Sequence, residues 1–106
     1  MSKLVPSHLL ERAAKRFRIL SEPLRLQILN MLMVESEMSV MELVDATGQQ
    51  QANISKHLAL LANEQILARR KDGVKVYYSL DDPSIHGICT LVCGQLEQLQ
   101  NTEATR

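Results

Sequence analysis

The spacing of apolar residues changes twice along this chain, and these changes limit the fold more than any other feature. Up to Ile66, apolar side chains recur at three- and four-residue intervals in four segments, which is typical of amphipathic helices. Over residues 67–80 the period becomes two, which predicts a pair of strands, and Asp72-Gly73 between them favours a hairpin. From Pro83 the helical spacing returns. The pattern therefore predicts four helices, a hairpin and a closing helix.

Local signals place a helix-turn-helix directly before the hairpin. Ser39 followed by Glu42 has the spacing of a capping box, which begins a short helix. Gly48 follows that helix, at a point where the chain needs a left-handed residue. The predicted fold is mainly α with a β-hairpin wing, a winged helix-turn-helix. Within a single domain of residues 1–106, the predicted parts are an opening helix at about 7–20, the helix-turn-helix at about 39–63, the wing at about 67–80 and a closing helix at about 83–100.

The composition excludes several classes of protein. Apolar residues make up 45% of the 106 residues, which fits one folded domain and not a disordered chain. One Phe and two Tyr, with no Trp, are too few for the stacking platforms of proteins that bind single strands. The longest apolar run is residues 58–62, so we expect neither a membrane span nor a secretory segment, and a cytoplasmic location.

The formal net charge is zero, but the charges are unevenly distributed. Residues 1–20 carry a net charge of +4 and residues 51–80 carry +3, whereas residues 21–50 carry −4 and residues 81–106 carry −3. One positive block contains the second helix of the helix-turn-helix and the wing. Neutrality therefore does not exclude nucleic acid as a partner, although it predicts weak non-specific affinity.

The second helix of the motif offers the groups that a helix needs to read a major groove. Its first turns carry small or polar side chains, and its other face is apolar. Gln and Asn bond bidentately to adenine, Ser reaches a base or a phosphate, and amide groups at a helix start bind phosphate. Basic residues on the wing suit contact with the DNA backbone. The predicted DNA contacts are Gln50, Gln51, Ala52, Asn53, Ser55 and Lys56 on the helix, with Arg70, Lys71 and Lys75 on the wing.

Two other classes of function fit parts of the same pattern. The helix-turn-helix also occurs in domains that bind no DNA, so a protein-interaction module that uses this surface stays open. A thiol oxidoreductase using Cys89 and Cys93 is disfavoured, because such enzymes place a C-x-x-C pair at a helix start, where the thiol pKa falls. These two cysteines are four residues apart in the middle of a predicted helix. We therefore expect no enzyme.

Four stretches occur together in a characteristic order: residues 22–29 (EPLRLQIL), 39–43 (SVMEL), 51–61 (QANISKHLALL) and 73–80 (GVKVYYSL). With these stretches, the chain resembles the ArsR/SmtB family of winged-helix transcriptional regulators over about residues 13–99. The resemblance implies a homodimer through the first and last helices, binding to an imperfect palindrome in double-stranded DNA, and repression relieved by a metal ion or another signal. It also implies that the residues reading the groove are Gln51, Ala52, Ser55 and Lys56.

Some positions depart from the family pattern or suggest a structural role. Gln50 stands where the family usually has a capping Ser, which weakens the start of the helix. Arg25 belongs to the family's Pro-x-Arg-Leu signature, where we expect a structural ion pair. We expect His57, beside the buried stripe of the reading helix, to have a packing or phosphate role.

Neither standard metal site of the family is matched. One needs a pair of Cys within residues 40–44, and this stretch has none. The other uses carboxylate and His ligands on the last helix, and only Asp82 stands at a suitable position. At the remaining ligand positions the chain has Ser84, Gln95 and Gln98.

Cys89 and Cys93 remain as candidates for an effector site. Residues four apart share one face of a helix, so the two thiols suit a soft metal, a metalloid or a thiol-reactive signal. His86, one turn earlier, is a candidate third ligand. The alternative is that both cysteines only pack a helix seam, as buried Cys usually does, and that the regulator has no effector.

Overall fold

Five helices account for most of residues 5–104, the part of the chain that the computed structural model describes. They are α1 (Ser7–Leu20), α2 (Pro23–Glu35), α3 (Val40–Thr47), α4 (Gln51–Asn63) and α5 (Pro83–Ala104). The predicted opening helix and helix-turn-helix are confirmed, whereas α5 extends beyond the predicted end at about residue 100. Residues 1–4 and 105–106, the ends of the predicted domain, lie outside the described part.

The helix-turn-helix begins and turns where the sequence predicts. The Ser39 side chain accepts a hydrogen bond from the Glu42 amide at 3.1 Å, and the Ser39 amide donates to the Glu42 carboxylate at 2.9 Å. This reciprocal pair caps α3. Gly48 ends α3 with a φ of 72°, in the left-handed region. Its amide donates to the Val44 carbonyl at 2.9 Å, and the chain then turns into α4.

Replacing Gly48 by Ala should lower the free energy of unfolding by about 1 kcal/mol. A Cβ added at Gly48 meets nothing within 4 Å, so the cost comes from the left-handed backbone and not from a clash. Gly87→Ala is the matched control, because Gly87 lies within α5 and an added Cβ also meets nothing within 4 Å. Urea unfolding should show a lower free energy of unfolding for Gly48→Ala and no decrease for Gly87→Ala. Equal effects of the two substitutions would contradict this explanation.

Three strands form an antiparallel sheet in the described part of the chain. They are β1 (Glu37–Ser39), β2 (Leu67–Asp72) and β3 (Lys75–Leu80), in the order β1-β3-β2. The predicted hairpin is confirmed, although β2 continues to Asp72, so that the turn is Gly73-Val74. β1 was not predicted, because three residues are too few to show an alternating pattern. Ser36, with a φ of 72°, ends α2 and turns the chain into β1.

The core is aliphatic and lies where the helices meet the sheet. Ile54, Leu58 and Leu61 of α4 are fully buried, which confirms the predicted stripe of that helix. They belong to one cluster with residues of α2, α3 and the sheet, and Tyr78 of β3 is its buried aromatic member. Because α4 is held by one face, its other face is available at the surface.

Candidate nucleic-acid interface

The start of α4 presents a polar surface to solvent. Gln50, Gln51, Ala52, Ser55 and Lys56 are exposed, and Asn53 is half-buried. No side chain caps this end of the helix, as expected with Gln50 at the capping position. The amides of Asn53 and Ile54 donate to the Gln50 carbonyl, whereas those of Gln51 and Ala52 have no partner in the described chain and suit a phosphate oxygen.

Asn53 differs from its neighbours because its side chain already has a partner. Its amide nitrogen donates to the Gln49 side-chain oxygen at 3.0 Å, and the Gln49 backbone amide donates to the Thr47 hydroxyl at 3.2 Å. These bonds brace the turn between α3 and α4. Asn53 is thus engaged within the protein, while Gln51 and Ser55 make no side-chain hydrogen bond within residues 5–104.

The wing lies directly beside the start of α4. Gln51 of α4 and Lys75 of β3 line one cleft of about 360 Å³, together with Val74 at the tip of the hairpin. Lys71 and Lys75 are exposed and form no ion pair with any described residue. The structure therefore brings Gln51 and Lys75, one predicted contact on the helix and one on the wing, to a single cleft. Lys71 pairs with Val76 and so lies on the other face of the hairpin from Lys75.

Arg70, the third predicted wing contact, is engaged within the sheet. Its guanidinium makes two hydrogen bonds to the Glu37 carboxylate and lies 4.6 Å from the centre of the Tyr77 ring. The hydrogen bond to Glu37 raises the pKa of Arg70, and the same bond lowers the pKa of Glu37. Arg70 is thus the only predicted wing cation among the described residues that forms an ion pair.

Behind the reading surface, α4 is attached to α2 through Arg25 and His57. The Arg25 Nε donates to the His57 Nδ1 at 3.0 Å, and another guanidinium nitrogen donates to the Ile19 carbonyl at 3.0 Å. The expected packing role of His57 fits its 8% exposure, whereas the predicted ion pair of Arg25 is wrong, because its side-chain partner is a neutral imidazole nitrogen. Since Nδ1 accepts this bond, the proton of neutral His57 lies on Nε2.

Acid should weaken the attachment of α4. Burial lowers the pKa of His57 below its ordinary value of 6.5, and the nearby charges of Arg25 and Lys56 lower it further against the opposing effect of Glu22. The unfolded chain therefore binds this proton more tightly than the folded chain does. We expect the free energy of unfolding to fall as the pH drops through 6.5, and the loss to level off below the pKa of folded His57.

Urea unfolding at about pH 7.5 and about pH 5.5 tests this expectation, because most carboxylates titrate at lower pH. His57→Gln keeps an acceptor for Arg25 but does not titrate in this range, so its stability should vary less with pH. His86→Gln, at an exposed position, is the matched control and should behave like the parent chain. A His57→Gln variant with the full pH dependence would contradict the assignment.

Arg16 of α1 joins the far end of α4 to the start of α5. Its guanidinium bonds to the Asp82 carboxylate, and a second nitrogen donates to the Glu64 carbonyl at 2.9 Å. Ser84 donates to the same carboxylate from its amide and its hydroxyl. Burial alone would raise the pKa of Asp82, but the bonds from Ser84 and the charge and bond of Arg16 outweigh it, so this pKa is lowered. Asp82 is therefore part of a structural junction.

Apolar faces of α1 and α5 have no covering element in the described chain. On α1, Leu10 is 54% exposed and Phe17 is 56% exposed. On α5, every described side chain from residue 90 to residue 102 is exposed. These include Val92, Leu96 and Leu99, which recur at three- and four-residue intervals and form the seam of α5. Large apolar faces of this kind on two helices are typical of a surface that is buried by a partner.

Cys89 and Cys93 lie together on α5, against α2. Both line a cavity of about 190 Å³ with Leu26, Asn30 and Met33. Cys89 is half-buried and Cys93 is exposed. Burial, and to a smaller extent the neighbouring Cys93, raises the pKa of the Cys89 thiol.

His86 does not complete a three-ligand site with these thiols. Its Nδ1 lies 3.4 Å from the Thr90 hydroxyl oxygen. Among the side chains described, those of residues 5–102, no three of His, Cys, Asp or Glu are grouped so that they could hold a metal ion. A single chain therefore brings two thiols together at this place.

The fold and this surface define a class of protein, the winged helix-turn-helix proteins that bind DNA. Residues 22–68 match the model of a family described as bacterial regulatory protein, arsR family. The chain is 34% identical over 82 residues to an uncharacterised HTH-type transcriptional regulator of Methanocaldococcus jannaschii, covering 77% of this chain and 92% of the relative. The chain belongs to the arsR family, and it is a transcriptional regulator that binds DNA.

Two further comparisons concern a named repressor and a solved homodimer. The arsenical resistance operon repressor of Escherichia coli is 40% identical over 80 residues, which cover 76% of this chain and 62% of that repressor. A homodimeric winged helix-turn-helix DNA-binding domain from Mycobacterium bovis superposes with a TM-score of 0.76 at 25% identity, covering 92% of each chain. In the described part of the present chain, no helix combines the length and apolar character that crossing a membrane requires.

Proposed function

We propose that this chain is a homodimeric, cytoplasmic repressor that binds an imperfect palindrome in double-stranded DNA through α4 and the wing. The observation that carries this proposal is the shared cleft of Gln51 and Lys75, which joins an uncapped, polar helix start to a basic hairpin. A helix start of this kind suits a major groove, and the lysines beside it suit the adjoining phosphates. The proposed base-reading residues are Gln50, Gln51, Ala52 and Ser55, with Lys56, Lys71 and Lys75 on phosphate.

The proposed dimer uses the apolar faces of α1 and α5. Three apolar side chains on these faces are about half exposed: Leu10 and Phe17 on α1, and Leu96 on α5. A stable dimer would bury them. The homodimeric relative from Mycobacterium bovis supports this assembly. A two-fold dimer presents two copies of α4, and their separation has to be about 34 Å for both to enter successive major grooves.

Footprinting on the DNA upstream of the chain's own coding sequence, at several salt concentrations, tests the proposal. We expect protection of two half-sites about one helical turn apart and affinity that falls steeply with salt. The absence of salt-sensitive protection would favour the alternative, a protein-interaction module that uses the same surface. We propose that residues 1–106 form a single domain. The relatives named above are regulators, and we propose no catalytic role for this domain.

We further propose that the two thiols of α5 receive the signal that releases DNA. Cys89 and Cys93 line one cavity between α5 and α2, next to the exposed seam of the proposed dimer. Thiolates suit soft metals and metalloids, and a thiol pair also suits an oxidant. The name of the Escherichia coli relative supports a metalloid. A ligand here would bias the dimer towards a separation of the two α4 helices that no longer fits DNA.

Cys89→Ser and Cys93→Ser should abolish release of DNA by arsenite and by a thiol oxidant. Because Cys93 is exposed and burial raises the pKa of the Cys89 thiol, the remaining thiol should be oxidised more slowly in Cys93→Ser than in Cys89→Ser, as a timed thiol titration would measure. The measurement is the footprint repeated with each agent, and with Zn²⁺ as a harder ion for comparison. Without an agent, both variants should bind DNA like the parent chain. A double variant that still releases DNA would leave the effector-free regulator as the better description.

A further inference from the structure

The Arg70 side chain crosses the sheet from one edge strand to the other. Its Nε donates to one oxygen of Glu37 at 3.0 Å, and a terminal guanidinium nitrogen donates to the other oxygen at 2.8 Å. Such a bidentate pair is the geometry in which an arginine and a carboxylate bind most specifically. Arg70 belongs to β2 and Glu37 to β1, and the central strand β3 lies between them.

Two further contacts hold the guanidinium at the sheet. Tyr77 is the residue of β3 that pairs with Arg70, and its ring centre is 4.6 Å from the guanidinium carbon. The remaining terminal nitrogen lies 3.9 Å from the Asp72 carboxylate. The bidentate bond, the ring and the second carboxylate together leave Arg70 less to gain from a phosphate than the unpaired Lys71 and Lys75 have.

The position of Glu37 in the chain gives this pair its importance. β1 ends at Ser39, the residue that caps α3, so β1 is the direct continuation of the helix-turn-helix into the sheet. β1 has three residues, and its ladder with β3 is correspondingly short. A side-chain link from β1 across to β2 therefore adds a polar attachment to those that the β1–β3 ladder and the core already make between the helix-turn-helix and the hairpin.

We propose that Arg70 is a positioning residue, which clamps the wing to the strand leading into α3, and that it does not itself bind phosphate. The clamp holds Lys71 and Lys75 at a set position relative to the start of α4, so that helix and wing meet the DNA together. This role rests on the proposed binding of DNA by α4 and the wing. It reassigns one residue that the basic pattern of the wing predicts as a DNA contact.

The two roles of Arg70 predict opposite effects of removing Glu37. If Arg70 is a clamp, Glu37→Gln loosens the wing and weakens operator binding. If Arg70 is a phosphate contact that Glu37 competes for, Glu37→Gln frees it and strengthens binding. Glu35→Gln is the matched control. It removes the same charge two residues before Glu37, and the Glu35 side chain forms no ion pair with any described residue.

The test measures operator affinity and its salt dependence for the parent chain and the variants Arg70→Ala, Glu37→Gln, Glu35→Gln and Lys71→Ala. We expect Arg70→Ala and Glu37→Gln each to weaken binding by about fivefold, the double variant to be no weaker than either, and the salt slope to stay unchanged. Lys71→Ala should instead lower the salt slope by about 1.8, because the proposed dimer loses one phosphate contact in each protomer. The swap of Arg70→Glu with Glu37→Arg should restore affinity.

Circular dichroism at the assay temperature tests whether each variant is folded. This control distinguishes weaker binding by folded protein from a loss of folded protein. A salt slope lowered by about 1.8 in Arg70→Ala would overturn the proposal, because that is the loss of one phosphate contact in each protomer. Tighter binding by Glu37→Gln than by Glu35→Gln would do the same, as would parental affinity in both Arg70→Ala and Glu37→Gln. If the parent chain itself binds no DNA, the proposed function fails before the role of Arg70 is reached.

Discussion

Replacing Leu96 by Asp should convert the proposed dimer into monomers and lower affinity for the full palindrome by at least about a hundredfold. Leu96 is 58% exposed in the single chain and lies on the α5 seam with Val92 and Leu99. A carboxylate at this position would be buried without a partner on dimerisation, which is strongly unfavourable. Each monomer would then bind one half-site on its own, and the gain in affinity that a dimer obtains by binding both half-sites at once would be lost.

Sedimentation measures the assembly, and binding to full and half palindromes measures its consequence. Asn101→Asp is the matched control, because it places the same charge at an exposed position on the face of α5 opposite the seam. We expect Asn101→Asp to remain dimeric. A Leu96→Asp variant with the mass of the parent dimer would exclude this seam as the interface.

Replacing Ser55 and Lys56 together by Ala should reduce operator affinity by about a hundredfold, with a smaller loss on DNA of unrelated sequence. Both side chains are exposed within the first two turns of α4, on the face opposite its buried stripe. Ser55 would lose a base or phosphate bond, and Lys56 would lose a phosphate contact. The difference between the two DNA substrates therefore reports the reading of sequence.

Asn63→Ala is the matched control for this pair, since Asn63 is exposed at the opposite end of the same helix. Its affinity for the operator should equal that of the parent chain. If the double variant also binds like the parent, α4 does not read the operator, and the protein-interaction module becomes the better interpretation of the helix-turn-helix.

The local features of the fold could be predicted because neighbouring residues cause them. The bonds between Ser39 and Glu42 join residues only three apart. Gly48 stands where the backbone adopts a left-handed φ, which favours Gly at that one position. The hairpin depends on adjacent strands and the turn between them. In each case a short stretch of sequence contains both the cause and the result.

The partners of the charged residues could not be predicted, because they are distant in the chain. Arg70 and Glu37 are 33 residues apart, and Arg16 and Asp82 are 66 apart. The basic pattern of the wing therefore did not distinguish Arg70 from Lys71. Arg25 shows the same limit, since its partner His57 is brought near only when α2 packs on α4.

The position of the two tyrosines allows the wing to be followed by intrinsic tyrosine fluorescence. The chain has no Trp, and both of its Tyr residues stand side by side in β3. Tyr78 points into the core, while Tyr77 lies beneath the Arg70 guanidinium. Tyrosine emission from the unlabelled protein therefore comes from β3 alone, the strand of the wing that is central in the sheet. A change in that emission when DNA is added would report on the wing without any dye or added residue.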